Sequence, residues 1–261
     1  MTRTLQISNV LAFFLTMVFN YLSNTRIFNG NTMGSVSAKY QNLFTPAGYA
    51  FSIWGFIYVG LFAFIIYQGI SLFKNTKADD FIFHIGWWFV ISCLANSLWI
   101  LAWLYDFTAI SILIMLVLLF SLLKIIINTR MELDDVPVKT IVFTWWPFSI
   151  YAGWISVALI ANISAWMTKI DWNGFGIPEY VWTIIMICIA GSINLYMTWK
   201  RNMREYALVG VWALVAIAVS NRDKQQPVVI AASIVAIIIL ISITIHAYQN
   251  RKSLIQRFFP N

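Results

Sequence analysis

Charged side chains are scarce in this sequence of 261 residues. Only 10% of the residues are Asp, Glu, Lys or Arg and 61% are hydrophobic, whereas about a quarter of the residues of a soluble domain are charged. This composition excludes an ordinary water-soluble domain. The apolar residues occur in segments of about 20, the length that a helix needs to cross a bilayer core of about 30 Å. The short alternating strands of a membrane barrel are absent, so the sequence predicts an all-α integral membrane protein.

Residue types that carry enzyme or metal chemistry are also few. The two cysteines, Cys93 and Cys188, and the two histidines, His84 and His246, lack the spacing of a disulfide framework or a metal site. No apolar segment has Asp or Glu near its middle, where proton- and ion-coupled transporters normally place such groups. No nucleophile stands beside a base. We therefore expect no catalytic residue, no metal and no enzyme activity.

Hydrophobic patterning predicts eight membrane-spanning helices, with ends defined to within a few residues. They cover about residues 5–22, 46–73, 83–104, 108–127, 140–167, 180–199, 206–220 and 228–248. The seventh is the shortest, and seven spans is the alternative count. The first span follows Arg3, as in a signal peptide, but no small-x-small cleavage site follows Phe19. We interpret it as a retained span.

The distribution of Lys and Arg predicts the orientation in the membrane. With eight spans, twelve of the 17 basic residues fall on the face that holds both termini and five on the opposite face. Because cytoplasmic loops carry the basic excess, both termini are predicted to be cytoplasmic, in what we expect to be a bacterial cytoplasmic membrane. The net charge of +7 reflects this topology and does not indicate nucleic-acid binding. The basic segment 251–260, RKSLIQRFFP, is expected to lie on the anionic inner leaflet.

Aromatic residues are abundant, and the chain has 13 tryptophans. Some lie at span ends, where interfacial belts occur, but Trp54 and Trp99 lie deeper. In the fifth span, one helix face is shared by residues that recur every four positions: Trp154, Ala158, Asn162 and Trp166. Buried amides such as Asn162 and Asn96 need partners across the bundle. Two interpretations remain open at this stage: interhelical packing, or an aromatic cavity for a flat apolar ligand.

Three motifs in chain order resemble those of the TspO/MBR (translocator protein) family, over about residues 5–168. The second span of that family has a Pro-rich start followed by Trp and Tyr, which TPAGYAFSIWGFIY matches at Pro46, Trp54 and Tyr58. The third-span pattern L-N-x-x-W is matched from Ala95 to Trp99, with Ala95 in the leucine place. The fifth-span pattern W-x3-A-x3-N-x3-W is matched at each of its stated positions by the four residues named above.

The chain also departs from that family. Leu43 and Thr45 stand where the family has a Trp and the first Pro of a pair, and Ile163 and Met167 replace the residues of its sterol motif. About 90 further residues follow the five-helix unit, as in the longer bacterial tryptophan-rich sensory proteins. The resemblance therefore implies two parts: a five-helix transmembrane bundle over residues 1–170, and a C-terminal three-helix extension with a basic tail over residues 171–261.

The resemblance implies a ligand pocket between the second, third and fifth spans. The expected lining residues are Pro46, Phe51, Trp54, Tyr58, Asn96, Trp99, Trp154, Ala158, Asn162 and Trp166. The segment Asn24–Thr45, which contains the Gly- and Ser-rich stretch FNGNTMGSVS, is expected to form a mobile cover over the mouth. No cofactor is firmly implied, but a tetrapyrrole such as porphyrin or haem is the ligand that the resemblance favours. The resemblance also allows a homodimer.

Three functions remain in competition after these observations. The first is a membrane-embedded binding protein or sensor for a flat hydrophobic ligand. The second is a transporter of small apolar organic molecules without ion coupling. The third is an enzyme or light-driven degrader of porphyrin, which would use tryptophan chemistry. Beyond the lipid bilayer and a small hydrophobic ligand, the sequence indicates no partner.

Overall fold

The computed structural model describes residues 2–73 and 81–250, and within these ranges the chain is helical without strands. The α-helices are α1 (Thr2–Leu22), α2 (Met33–Lys39), α3 (Ile53–Phe73), α4 (Phe81–Ile85), α5 (Trp88–Leu104), α6 (Thr108–Asn128), α7 (Val138–Thr140), α8 (Trp146–Lys169), α9 (Glu179–Arg201), α10 (Arg204–Ser220) and α11 (Gln226–Gln249). A 3-10 turn at Gly48–Ser52 precedes α3, a π-helical turn at Ile141–Trp145 joins α7 to α8, and a second 3-10 turn, Gly174–Gly176, precedes α9. The all-α prediction is confirmed.

Six helical segments of the described chain are long and apolar enough to cross a membrane. They are Thr2–Leu22, Gly48–Ile70, Thr108–Asn128, Val138–Lys169, Glu179–Arg201 and Gln226–Gln249. The two remaining predicted spans correspond to α5 and α10, each of 17 residues. At 1.5 Å per residue such a helix is about 26 Å long, slightly less than the bilayer core of about 30 Å. The protein is therefore an integral membrane protein with six full-length candidate spans and two shorter helices.

In the structure, the third predicted span consists of two helices, α4 and α5. Gly86 has a positive φ of 55° and ends α4, and its N–H donates to the Ile82 carbonyl oxygen at 2.9 Å. The chain resumes as α5 at Trp88. Glycine adopts this left-handed conformation without the steric cost that a side chain adds. The prediction of one continuous helix from Phe83 to Leu104 was therefore wrong.

Helix α8 lies at the centre of the bundle. Of its membrane-length window, 67% is buried, against 22% to 39% for the other five candidate spans. It packs against α3, α6 and α10. The outer helices expose apolar side chains, such as Leu113 on α6 (63% exposed) and Ile241 on α11 (55%), as a lipid-facing surface requires. Residues on α8 can therefore form an interior site.

Glycines bring the C-terminal helices close to one another and to α8. A Cβ atom added to Gly153 of α8 would lie 2.8 Å from the Tyr206 carbonyl oxygen of α10. One added to Gly191 of α9 would lie 2.5 Å from Val235 of α11, and Gly210 of α10 is in similarly close contact with Asn194 of α9. In membranes, small residues let helix backbones approach closely enough for favourable packing. α10 is thus held between α8 and the pair α9–α11.

Two predictions are not tested by these helices. The division into domains at residue 170 stays a prediction, as does the cytoplasmic position of both termini. The basic segment 251–260 lies outside the described residues, as do Lys74 and Lys77.

Candidate ligand-binding site

Trp54 lies at the centre of an aromatic cluster between α3, α5 and α8. Its ring stacks on Tyr58 of the same helix, with centroids 5.4 Å apart, and on Trp99 of α5 at 6.4 Å. The rings of Tyr151 and Trp154 on α8 meet it edge to face at 5.8 Å and 6.4 Å. These are the offset-stacked and T-shaped arrangements that aromatic pairs prefer. Tyr58 follows Trp54 by four residues on α3, and Trp154 follows Tyr151 by three on α8, so the two rings of each pair share one helix face.

A small cavity of about 60 Å³ lies beside this cluster. Its walls are Met33, Ser37, Tyr40, Thr45, Pro46, Phe51, Trp54, Trp99, Trp103, Trp154, Val157, Ala158, Ala161, Asn162 and Ala165. A liquid water occupies about 30 Å³, so the cavity could hold one or two waters or a ligand substituent. Ala158, Ala161 and Ala165 leave the recess on the α8 side, because larger side chains there would fill it.

A groove of about 710 Å³ adjoins the small cavity, and the two share seven wall residues. These are Met33, Ser37, Thr45, Pro46, Phe51, Trp54 and Trp99. Tyr58 lines only the groove, together with Met17, Asn20 and Asn24. The groove volume falls in the range of about 300–1,000 Å³ that is typical of ligand pockets. Groove and cavity together form a continuous space with a wide part and a narrow part.

The structure brings most of the predicted site residues together. Seven of the ten line the small cavity: Pro46, Phe51, Trp54, Trp99, Trp154, Ala158 and Asn162. Tyr58 lines the adjoining groove. Asn96 lies behind the rings and is fully buried, and Trp166 is not among the wall residues of either space. Contact of these residues with a ligand stays a prediction.

The two predicted amides are hydrogen-bonded inside the protein. Asn96 Nδ2 donates to the Tyr151 hydroxyl at 2.8 Å, and its Oδ1 accepts from Asn20 Nδ2 at 3.0 Å. Asn162 bonds to Ser111 Oγ of α6 at 3.0 Å. Both amides therefore link helices, as buried polar residues in membranes commonly do.

The polar groups without a partner in the cavity wall are indole N–H groups. Trp99 and Trp154 are 7% and 2% exposed, and neither Nε1 atom has a hydrogen-bond partner among the described residues. Leaving a buried donor unpaired costs about 1–3 kcal/mol. A ligand with a carbonyl or carboxylate oxygen in the cavity would satisfy these donors. Sequence reasoning included both tryptophans among the expected lining residues.

Helix α2 forms part of the groove wall, and its last residue, Lys39, is bonded to Asp106. This carboxylate, in the turn between α5 and α6, pairs with Lys39 at 2.7 Å and accepts from the Tyr40 hydroxyl at 2.8 Å. Lys169 lies 3.5 Å away. Burial acts to raise the pKa of Asp106, but the bonds from Lys39 and Tyr40 and the charge of Lys169 outweigh it and hold this pKa below the ordinary 3.8. The hydrogen bond to Asp106 raises the pKa of Lys39.

Within the expected cover, Asn24–Thr45, sequence reasoning missed a helix. Thr32 and Ser35 form a reciprocal capping box at the start of α2, and this pairing satisfies two free backbone N–H groups. Asn31 Nδ2 donates to the Leu104 carbonyl oxygen at 2.9 Å. The Thr-x-x-Ser spacing was a usable signal, although Glu or Gln is the more common partner.

A sequence model of the TSPO-like protein family matches residues 6–245. The chain belongs to the TSPO-like family. The match confirms the resemblance drawn from the three motifs, and it extends past residue 168 through α9, α10 and most of α11. No curated protein and no solved structure matches the sequence.

In this TSPO-like protein, the helices after α8 fasten the segment that forms one wall of the cavity. The Leu43–Ser52 segment contains Thr45, Pro46 and Phe51 of the wall. Asn221, in the α10–α11 connection, donates from Nδ2 to the Leu43 carbonyl oxygen at 2.8 Å. Trp212 Nε1 of α10 donates to the Ala50 carbonyl oxygen at 3.1 Å.

Two further bonds fasten the same segment. The Leu43 N–H donates to the carboxylate of Glu179 at the start of α9, at 2.9 Å, and the Ala47 N–H donates to the Ala216 carbonyl oxygen of α10 at 3.0 Å. A segment with its backbone groups bonded at four points has few alternative positions. The C-terminal helices therefore set the position of this cavity wall.

Proposed function

We propose that this protein is a membrane-embedded binding protein or sensor for a flat hydrophobic ligand such as a porphyrin or another tetrapyrrole. Its membership of the TSPO-like family supports a binding or sensing role in the membrane. The observation that carries the proposal is the pair of buried, unpartnered indole N–H donors of Trp99 and Trp154 in an aromatic cavity. The proposal assigns no chemical step to the protein.

The ring geometry supports a flat ligand. Trp54 is within 18° of parallel to Tyr58 and within 29° of parallel to Trp99, so these faces form a stack that a further planar ring would extend. The groove is large enough for such a ring, whereas the cavity of about 60 Å³ is not. We place the ring in the groove and an acceptor oxygen in the cavity. A carboxylate oxygen there would form the stronger, charge-assisted bond.

A transporter of small apolar molecules is the second candidate. The observation that favours it is the continuity of groove and cavity, which share seven wall residues and would let a ligand move further into the bundle. The near absence of acidic residues from the spans favours a carrier without ion coupling. Ligand flux into liposomes distinguishes this function from binding alone.

The test is a titration of the detergent-purified protein with protoporphyrin. Quenching of tryptophan fluorescence measures the binding. We expect saturable quenching at micromolar ligand. Trp154→Phe removes the donor but keeps a ring, and a lost hydrogen bond to a carboxylate predicts a roughly tenfold weaker Kd. Trp199→Phe is the matched control, because the Trp199 N–H already donates to Ser242 at 2.6 Å.

The control sample is an unrelated membrane protein in the same detergent. Linear quenching of equal strength in all four samples would mean that the porphyrin partitions into the micelle, and this result would refute the proposed site. Saturable quenching that Trp154→Phe leaves unchanged would refute the role of the indole donor.

A further inference from the structure

A second groove of about 690 Å³ lies between α8 and α9. It uses a different face of α8 from the central cavity, since Ile160, Ile163 and Met167 line this groove whereas Ala161 and Ala165 line the cavity. Along this length the two helices touch at Ser164, whose hydroxyl lies 3.3 Å from the Met186 sulfur. The groove therefore shares no lining residue with the small cavity, and it shares only Gln41 with the groove beside that cavity.

The two ends of this groove differ in chemistry. The inner end is apolar and includes Ile160, Ile163, Met186 and Ile189. Ile189 is half exposed, so this end is open to the lipid. The outer end lies at the α8–α9 connection. From Glu179 to Ile189 on α9 the distance is about 15 Å at 1.5 Å per residue, which suits a molecule with a polar head and a chain.

The described charged residues that line the outer end are acidic. Asp171 and Glu179 line it, and no Lys or Arg is among the lining residues, although the chain has 17 basic and 10 acidic residues. Glu179 already accepts from the Leu43 N–H at 2.9 Å. Asp171 follows α8 in a left-handed conformation, with φ 50°. The phosphate of a phospholipid would face two carboxylates here, which like-charge repulsion disfavours.

Two tryptophan rings complete the outer end. Trp172 and Trp182 lie with centroids 5.2 Å apart, and Trp182 Nε1 donates to the Gly174 carbonyl oxygen at 2.8 Å. That hydrogen bond occupies the indole N–H and fixes the orientation of the ring, whose face can attract a cation. Aromatic faces beside carboxylates are the arrangement that recognises alkylated ammonium groups.

We propose that this groove binds a single-chain amphiphile with an ammonium head. The head lies against Asp171 and the Trp172–Trp182 pair, and the chain lies along Ile163 and Met186 toward the lipid. The site is independent of the central cavity and does not rest on the function proposed above.

The test uses the full chain in phosphatidylcholine nanodiscs and a photoreactive alkyl-trimethylammonium with a diazirine near the chain end. We expect labelling of the α8 stretch 160–167 and the α9 stretch 186–189, saturable by unlabelled alkyl-trimethylammonium despite the excess of phospholipid. A probe with the same chain and a sulfonate head is expected to label these stretches at least about threefold less.

Two variants make the test specific. Asp171→Asn removes the charge and keeps the left-handed backbone, which Asn tolerates, so labelling is expected to fall about threefold. Asp223→Asn is the matched control in another loop and leaves labelling unchanged. Equal labelling by both heads, labelling that unlabelled amphiphile does not displace, or equal labelling of the two variants would overturn the proposal.

Discussion

Asn221 Nδ2 lies 2.8 Å from the carbonyl oxygen of Leu43, a residue 178 positions earlier in the chain. The same amide nitrogen lies 2.8 Å from the Ile217 carbonyl oxygen of its own helix. One side chain therefore joins the end of α10 to the segment that leads into the cavity wall. Through this contact the C-terminal helices help to hold the cavity wall in position.

The variant Asn221→Ala is expected to loosen the cavity wall. It leaves the Leu43 carbonyl oxygen without its donor, which predicts a loss of about 1–2 kcal/mol in stability. We expect hydrogen exchange within residues 43–52 to become several-fold faster. Asn128→Ala, at the end of α6, is the matched control. Equal exchange in the two variants would contradict the anchoring role.

The variant Asp106→Asn is expected to release α2 from the α5–α6 turn. Asn accepts the left-handed backbone of this position, where φ is 66°, but it lacks the charge that holds Lys39 and Lys169. We expect hydroxyl-radical oxidation of Met33, the first residue of α2 and part of the groove wall, to rise several-fold. Met115 is fully buried and serves as the internal control.

Acid is expected to release α2 from the α5–α6 turn in the wild-type protein. The pKa of Asp106 is lowered in the folded state, so its contribution to stability is present at neutral pH. That contribution is lost as the pH falls below the ordinary value of 3.8 and through the lowered pKa. Met33 oxidation should therefore rise below about pH 4 in the wild type. A similar acid-induced rise of Met33 oxidation in Asp106→Asn would show that another titrating group holds α2 in place.

Close packing of α8 on α10 predicts that replacing Gly153 by alanine lowers stability, whereas replacing Gly55 does not. Gly153→Ala would place a Cβ atom 2.8 Å from the Tyr206 carbonyl oxygen, and forced backbone shifts of this kind cost about 1–3 kcal/mol. Gly55→Ala on α3 meets no atom within 4 Å and should be neutral or slightly stabilising. Thermal unfolding in detergent compares the two. Equal melting temperatures would contradict the close approach of the helices.

Ala158 and Trp166 belong to the same sequence motif on α8, but only Ala158 lines the cavity. Substituting each of them tests whether its position at the cavity decides its effect on binding. Ala158 lines the cavity, and Ala158→Leu would fill a space of about 60 Å³, so porphyrin affinity should fall at least about tenfold. Trp166 lies outside both walls, and Trp166→Phe should leave affinity within about twofold. Titration of both variants with protoporphyrin gives the comparison. A larger loss in Trp166→Phe would place the ligand elsewhere on α8.

Helical periodicity predicted the parts of the site that lie on one helix. The four-residue spacing joined Trp54 to Tyr58, and Trp154 to Ala158 and Asn162, because residues at this interval share a face. It also included Trp166, since a repeat does not indicate where along the helix a cavity ends. Length and apolarity likewise predicted six of the eight spans as membrane-length helices. The other two are the 17-residue helices α5 and α10, and α5 is separated from α4 at Gly86, which takes a left-handed conformation.

The parts that depend on contacts between distant residues could not be predicted. The bond from Asn221 to Leu43 and the bond from Trp212 to Ala50 follow no periodic pattern. Asn96 was expected to line the pocket; its Nδ2 donates a hydrogen bond to the Tyr151 hydroxyl on α8, and its contact with a ligand stays a prediction. Such partners are fixed by how helices pack, and one sequence does not specify them.

The most direct test of the binding site is an NMR titration of protein labelled with ¹⁵N at the tryptophan indoles. The 13 indole N–H signals can be assigned by single Trp→Phe variants. On addition of protoporphyrin we predict that the signals of Trp99 and Trp154 shift most, because those donors gain a partner. Trp182 donates to the Gly174 carbonyl oxygen at 2.8 Å and should stay in place. Uniform small shifts of all signals, or unchanged signals of Trp99 and Trp154, would contradict the account.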